Sequence, residues 1–216
     1  MNKIIAIDGT AGSGKGTIAK HIAHELGYFY LDTGAFYRAI SYLIIKNNTS
    51  LGDVLTITNY VRNLNIEFKD YMVLVNGEDV TNEIRSKDVN AIVSIVADIL
   101  EVRLLINDKI RKYIGNKDYV VDGRDVGTVI FPNADFKFYL DASVDTRARR
   151  RFNQLTNTGN DANFEKILEN IQVRDKIDKT REFGALIIAD DAIIIDTTND
   201  EIEDTLRKMI EIIRRK

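Results

Sequence analysis

Cysteine is absent from this chain, which excludes disulfide bridges and thiolate chemistry and fits a reducing compartment. Proline occurs once, at Pro132, where it is expected to mark the turn ahead of a strand beginning near Phe136. The only histidines, His21 and His24, stand three residues apart with no third ligand in view, so they are read as surface or boundary residues and not as a metal pair. No apolar run approaches the roughly 18 residues of a membrane span. The chain runs from Met1 straight into its first strand, so no signal peptide is expected to precede it. A net charge of -3 leaves no basic excess of the kind that nucleic-acid binding needs. Repeats, low-complexity tracts and long linkers are missing as well. A cytoplasmic monomer with neither membrane nor nucleic acid as a partner is the expectation.

What is present is a chain of 216 residues, 44% of them hydrophobic, enough for one substantial core and a smaller satellite. Its most informative string is Gly9-Thr10-Ala11-Gly12-Ser13-Gly14-Lys15-Gly16-Thr17. The apolar run Ile4-Ile5-Ala6-Ile7 precedes it and an apolar-periodic stretch follows, so strand, glycine loop, lysine and helix arrive in the order a phosphate cradle requires. Loop N–H groups would converge on the β-phosphate, Lys15 would reach the β and γ oxygens, and the helix dipole would add positive potential. The usual hydroxyl directly after the lysine is replaced by Gly16, with Thr17 next. That ending is similar to the one in nucleoside monophosphate kinases, where the threonine takes the Mg²⁺-side role.

A helix is expected over residues 15–26, with Ile18, Ile22 and Leu26 on one stripe and Gly27 ending it. Residues 28–31 read as a short strand, Asp32-Thr33-Gly34 as a loop, and residues 35–46 as a second helix, which is the βαβ grammar of a parallel sheet. That grammar breaks over residues 48–98. There, alternation at 66–68 and 72–75, with Asp70 between and the hairpin signal Asn76-Gly77 after, predicts an inserted antiparallel lobe. A helix over residues 101–114 returns the chain to strands at 119–121, 136–140 and 192–195. The last helix carries Ile202, Leu206, Met209 and Ile213 at helical spacing, a structural role. Five mostly parallel central strands with helices on both faces result, and ligands collect at the carboxyl ends of such strands.

Four stretches carry a family resemblance that covers nearly the whole chain: residues 9–17, Asp32-Thr33-Gly34-Ala35-Phe36-Tyr37-Arg38, Asp122-Gly123-Arg124-Asp125-Val126-Gly127-Thr128, and Arg174-Asp175 through Arg181. In them the chain resembles the bacterial cytidylate kinases. The resemblance implies an α/β fold of the P-loop nucleoside monophosphate kinase type, with a five-stranded parallel sheet flanked by helices, a small antiparallel lobe and a short lid. The core would be residues 1–47 and 99–216, the lid about 147–160, and the acceptor-binding lobe 48–98. It also implies reversible transfer of the ATP γ-phosphoryl group to CMP or dCMP, with Mg²⁺.

Residue by residue, the match puts Gly9, Ala11, Gly12, Ser13, Gly14, Lys15, Gly16 and Thr17 around the donor phosphates. Arg147, Arg150 and Arg151 fall in the lid, where relatives often have histidine at the position of Arg149. Thr33 and Arg38 would hold the acceptor nucleotide; Ser94, Arg103, Arg124 and Asp125 the cytosine ring and acceptor phosphate; Arg174, Asp178 and Arg181 the phosphate and sugar. Lys15, Arg38, Arg124, Arg150 and Arg174 would carry the transfer. Thr17 and, through water, Asp122 would face the metal.

The residue types make chemical sense by themselves. Transfer between two nucleotides gathers polyanions and asks little covalent work of the protein, so arginines can carry it by neutralising and orienting oxygens, with no general base needed. A carboxylate such as Asp125 can accept from the exocyclic amine of cytosine, and an arginine such as Arg124 can donate to its carbonyl and ring nitrogen. Uracil reverses that pattern. Taken singly, each arginine could equally be solvated surface, and Asp122 could be a turn cap. Asn116-Lys117-Asp118 suggests guanine recognition, but the aspartate comes one residue early for N-K-x-D, which disfavours a small GTPase. A kinase for another small acceptor and a non-enzymatic ATP-dependent scaffold remain as alternatives, separable by turnover and by the best acceptor.

Overall fold

The computed structural model describes residues 2–69, 72–157, 159 and 162–215. Asp70, and Thr158 and Asn160 of the expected lid, lie outside the described residues.

The buried run β1 (Ile4–Gly9) feeds the glycine loop and then α1 (Lys15–Leu26), which Gly27 ends in the left-handed conformation at φ 68°. Glycine adopts that geometry without a Cβ penalty. β2 (Phe29–Asp32) passes directly into α2 (Thr33–Lys46), so of the loop expected at Asp32-Thr33-Gly34 the aspartate closes the strand and Thr33-Gly34 begin the helix. α3 (Val54–Asn63) precedes the antiparallel ribbon of β3 (Ile66–Lys69), β4 (Met72–Val75) and β5 (Glu78–Asp79). Asn76 and Gly77 both take positive φ, 53° and 85°, as a two-residue hairpin turn demands. A short 3₁₀ turn (Glu83–Arg85), α4 (Lys87–Val96) and α5 (Leu100–Ile114) follow. β6 (Tyr119–Gly123), one π-helical turn (Val126–Ile130), β7 (Phe136–Asp141), α6 (Val144–Asn157), α7 (Phe164–Thr180), β8 (Ile193–Asp196) and α8 (Ile202–Arg215) complete the chain.

The central sheet has five strands in the order β2-β6-β1-β7-β8, and β1 lies parallel to both β6 and β7. β8 runs parallel to β7. Ile5 and Ile7 of β1, Ile18 and Ile22 of α1, Val120, Phe138, Leu140, Met209 and Ile210 form its core on one face. Each such side chain contributes about 1.5–3 kcal/mol on burial. α8 supplies Met209 and Ile210 to that core, with Leu206 and Ile213 packed against it, whereas Ile202 is exposed.

The chain divides into two compact units, residues 1–31 with 116–216, and residues 32–115. The second is larger than the 48–98 read from the sequence, because α2 and α5 pack with the helices and ribbon of that unit. Its centre includes Phe36, Phe68 and Tyr113, with ring centroids 5.5–6.1 Å apart and Tyr113 edge-on to both others. Edge-to-face pairs of this kind add about 0.5–1.5 kcal/mol beyond their buried area. Among the described residues no helix is long and apolar enough to cross a membrane.

Candidate active site

The glycine loop leaves β1 at the carboxyl edge of the sheet. A Cβ on Gly9 would overlap the Leu140 carbonyl of β7, so glycine is required there by close backbone approach. Gly12 and Gly14 hold φ of 83° and 88°, which curls the loop around its own centre. Thr10, to which the sequence reading gives no part, anchors this curl. Its carbonyl accepts from Ser13 Oγ at 3.0 Å and from Lys15 Nζ at 2.9 Å, and its hydroxyl donates to Asp141 Oδ1 at 2.8 Å. Thr197 ties the loop from the far side by donating to the Ser13 carbonyl at 3.2 Å.

Lys15 is buried, and that burial, with the nearby charges of Arg124 and Arg174, lowers its ammonium to about 7 against the partial support of Asp122 and Asp178. The cations that disfavour its charge are arginines of two of the other motifs, residues 122–128 and 174–181. Asp178 sits among them. It accepts from Arg124 Nε at 2.8 Å and Arg181 Nη2 at 3.0 Å, with Arg174 Nε at 4.0 Å. Burial works against the Asp178 charge, but Arg124, Arg174 and Arg181 outweigh it and hold the carboxyl below its ordinary range. Burial likewise opposes the Arg124 charge and is outweighed by Asp178, so its guanidinium is held the more firmly charged.

Asp122, the penultimate residue of β6, is buried, and Tyr30 donates its hydroxyl to Asp122 Oδ1 at 2.7 Å. An ideal Cβ on Gly16 would stand 3.6 Å from Asp122 Oδ2, so this carboxylate lies beside the loop between Lys15 and Thr17. One carboxylate and one threonine hydroxyl are hard oxygen donors, the set that Mg²⁺ takes together with phosphate oxygens. Among the described residues no group of three or more acidic, histidine or cysteine side chains forms a metal cage, and His21 and His24 are exposed.

The α6 arginines differ in what they do. Arg147, expected at the lid, is fully buried: Nε donates to the Ala142 carbonyl at 2.9 Å, Nη1 to Ala11 of the glycine loop at 2.9 Å, and Nη2 to Asp175 at 2.6 Å. It clamps the phosphate loop from behind. Arg150 is half-buried and donates to the Thr197 hydroxyl at 3.1 Å and carbonyl at 2.6 Å, and to the Asp200 carbonyl at 3.3 Å, fastening α6 to the segment after β8. Arg149 pairs with Asp145 and covers the Phe164 ring, while Arg151 is exposed and meets Gln154.

In the unit of residues 32–115, Thr33 is buried at the start of α2 and Arg38 turns back to Asp32 at 3.3 Å. Gly34 permits this, since a Cβ there would come within 2.7 Å of Arg38 Nη1 and 2.9 Å of Asp32 Oδ1. Arg85, missed in the sequence, flanks the same carboxylate at 3.8 Å. Arg103 is buried, lies over the Tyr37 ring and donates to the Ala97 carbonyl at 3.0 Å, bracing the end of α4, the helix that carries half-buried Ser94. Asp125 is buried and leads into the π-helical turn, where its carbonyl accepts from Val129 and Ile130.

Cations gathered around a loop shaped for phosphate, at the carboxyl edge of a parallel sheet, define a phosphoryl-transfer enzyme of the P-loop kinase class. A shikimate kinase from Bacteroides thetaiotaomicron shares the fold at TM-score 0.51 and 12% identity, with 98% of each chain covered. The family model described as cytidylate kinase matches residues 5–215. A cytidylate kinase from Caldanaerobacter subterraneus subsp. tengcongensis is 44% identical over 98% of this chain and 94% of its own length. Another from Bacillus velezensis is 45% identical over 98% and 96%. The chain belongs to the cytidylate kinase family, and membership makes it a phosphotransferase acting on cytidylate.

Proposed function

We propose that the protein transfers the γ-phosphoryl group of ATP, with Mg²⁺, reversibly to CMP and to dCMP. An acceptor phosphate oxygen attacks the γ-phosphorus, the bond to the β-γ bridging oxygen breaks, and ADP leaves as CDP or dCDP forms. The observation that carries this reading is the glycine loop that holds Lys15 Nζ on the Thr10 carbonyl, beside Arg124, Arg174 and Arg181 gathered on Asp178, a set of cations that a polyanion would suit. Gly9, Ala11, Gly12, Ser13, Gly14, Lys15, Gly16 and Thr17 cradle the donor phosphates, and Lys15 exchanges the Thr10 carbonyl for phosphate oxygens. Thr17 and, through water, Asp122 would hold the metal, whose chemistry there is to neutralise and align phosphate oxygens. Arg124, Arg174 and Arg181 with Asp178 serve the acceptor phosphate and sugar. Thr33, Arg38, Ser94, Arg103 and Asp125 serve its phosphate and base.

A coupled assay with CMP, dCMP, UMP and AMP tests the acceptor. CMP and dCMP are expected to be the good acceptors, and UMP lower by roughly 5- to 150-fold, as one mispaired hydrogen-bonding edge costs about 1–3 kcal/mol. A dCMP efficiency under about one hundredth of the CMP value would sink the deoxy half of this reading. In Asp125→Asn the CMP:UMP ratio of kcat/KM is expected to shrink, because an amide presents either a donor or an acceptor. An unchanged ratio moves base selection to Ser94 and Arg103.

The donor side has its own test. Lys15 sits at about 7 in the free protein, and a bound triphosphate favours its charged form, so binding raises that value. At pH 8 roughly nine-tenths of free Lys15 is neutral and ATP binding must draw in a proton. Calorimetry at pH 8 in buffers of different ionisation enthalpy is expected to read an uptake approaching one proton, shrinking as pH falls toward 6. Lys15→Ala should show none, and equal values for both proteins would contradict the assignment.

A further inference from the structure

Asp8 is the penultimate residue of β1, directly before Gly9, and nothing in the phosphoryl-transfer chemistry requires a carboxylate there. It is 6% exposed. Burial and the charge of nearby Asp125 push it up to about 7, against the backbone N–H groups of Gly127 and Val126 and the charge of Lys15. A buried carboxylate is costly unless its oxygens are engaged. Both are: Oδ1 accepts from Val126 N–H at 2.9 Å and Oδ2 from Gly127 N–H at 2.8 Å.

These two amides are consecutive and open the π-helical turn that follows Arg124 and Asp125. A carboxylate gripping two successive N–H groups fixes the orientation of the peptide between them, as one hydrogen bond cannot. Gly127 is held from another direction too, since a Cβ on it would come within 3.2 Å of Lys137 Cγ and Cδ and 3.4 Å of Asp8 Oδ2. The turn therefore sits in a slot between a β1 carboxylate and a β7 lysine stem, and β1 and β6 are in register with Asp8 opposite Gly123. The segment from Gly123 to Gly127 is pinned at both ends to the strand that delivers the phosphate loop.

We propose that Asp8 is a positioning residue for acceptor recognition: through the Val126 and Gly127 amides it fixes the backbone that presents Arg124 and Asp125, and so sets the preference for cytosine over uracil. This rests on the reading of Arg124 and Asp125 as acceptor contacts.

In Asp8→Asn one oxygen becomes an NH₂ that confronts a backbone N–H, donor against donor. Assayed at pH 8, above the Asp8 value, losing a hydrogen bond to this carboxylate is expected to raise KM for CMP about tenfold or more. The CMP:UMP ratio of kcat/KM should fall by about fivefold or more, while the calorimetric Kd for ATP stays within about twofold. The double variant with Asp125→Asn should be no less selective than Asp125→Asn alone. A lowered melting temperature with the CMP:UMP ratio and the balance of CMP and ATP constants unchanged would mean a structural role only, and would overturn the proposal. If Asp125→Asn itself leaves selectivity unchanged, base selection lies with Ser94 and Arg103 and the reading of Asp125 as a base contact has failed; Asp8 is then judged on KM for CMP and on hydrogen exchange at the Val126 and Gly127 amides. Protection retained at both in Asp8→Asn overturns it. Should Asp8→Asn not fold, Gly127→Ala displaces the same turn from the other partner, and unaltered CMP:UMP selectivity in that variant overturns it equally.

Discussion

Lys15→Ala is expected to lower kcat by about a thousandfold or more, with the fold intact. A preorganised donor aimed at charge that develops in the transition state is worth on the order of 10²–10³ in rate, and this one also carries a full charge when phosphate is bound. Stability should barely register the change. The lysine Nζ makes one hydrogen bond to the Thr10 carbonyl, but its burial and the charges of Arg124 and Arg174 already disfavour its protonated form. Removing it gives up that bond and some packing of the stem while relieving desolvation and like-charge repulsion, so the two sides offset. Steady-state kinetics beside thermal unfolding checks both halves. Near-normal turnover in a folded variant would remove Lys15 from the reaction.

The opposite profile is expected of Arg147→Ala, where the large effect is on stability. Its guanidinium holds Ala142, Ala11 and Asp175 at once and is 2% exposed. Alanine would strand the buried Asp175 carboxylate and two carbonyls, and breaking a buried pair from one side costs about 3–5 kcal/mol. At roughly 2–4 °C per kcal/mol for a chain of this size, the melting temperature should drop by about 6–20 °C. ATP affinity should weaken as well, since Ala11 belongs to the phosphate loop. Arg147→Lys should recover little, because one ammonium cannot reproduce a planar fork that serves three acceptors. A melting temperature within about 2 °C of the parent would refute the clamp.

The phosphate loop, α1 with its Gly27 stop and the strand series were legible because each is written locally, in a contiguous motif or an apolar run. The ribbon was legible from Asn76-Gly77. The helices of residues 54–63 and 87–96 went unread although both carry capping signals: Asp53 accepts from Thr56 N–H and Ser86 from Val89 N–H. Their many β-branched residues weaken helical propensity, and the neighbouring alternation suits a strand as well as a helix. Sequence also places an arginine without aiming it. Arg147 and Arg150 stand in one run, yet one is sealed behind the phosphate loop and the other is turned to Thr197. Thr10 and Tyr30 escaped because their partners, Asp141 and Asp122, are 131 and 92 residues away.

Asp178 gives the arginines around it a common template. On the proposed reading of these arginines as acceptor contacts, three guanidiniums near one another repel and, left to themselves, would swing toward solvent, so that each arriving nucleotide would have to gather them again. Held on a central carboxylate at 3.0 Å or less for Arg124 and Arg181, they are already aimed before any phosphate arrives. The reorganisation that a flexible site would undergo at every turnover is completed once, during folding. A nucleotide meets a rehearsed constellation, and the anion that rehearses it is part of the chain.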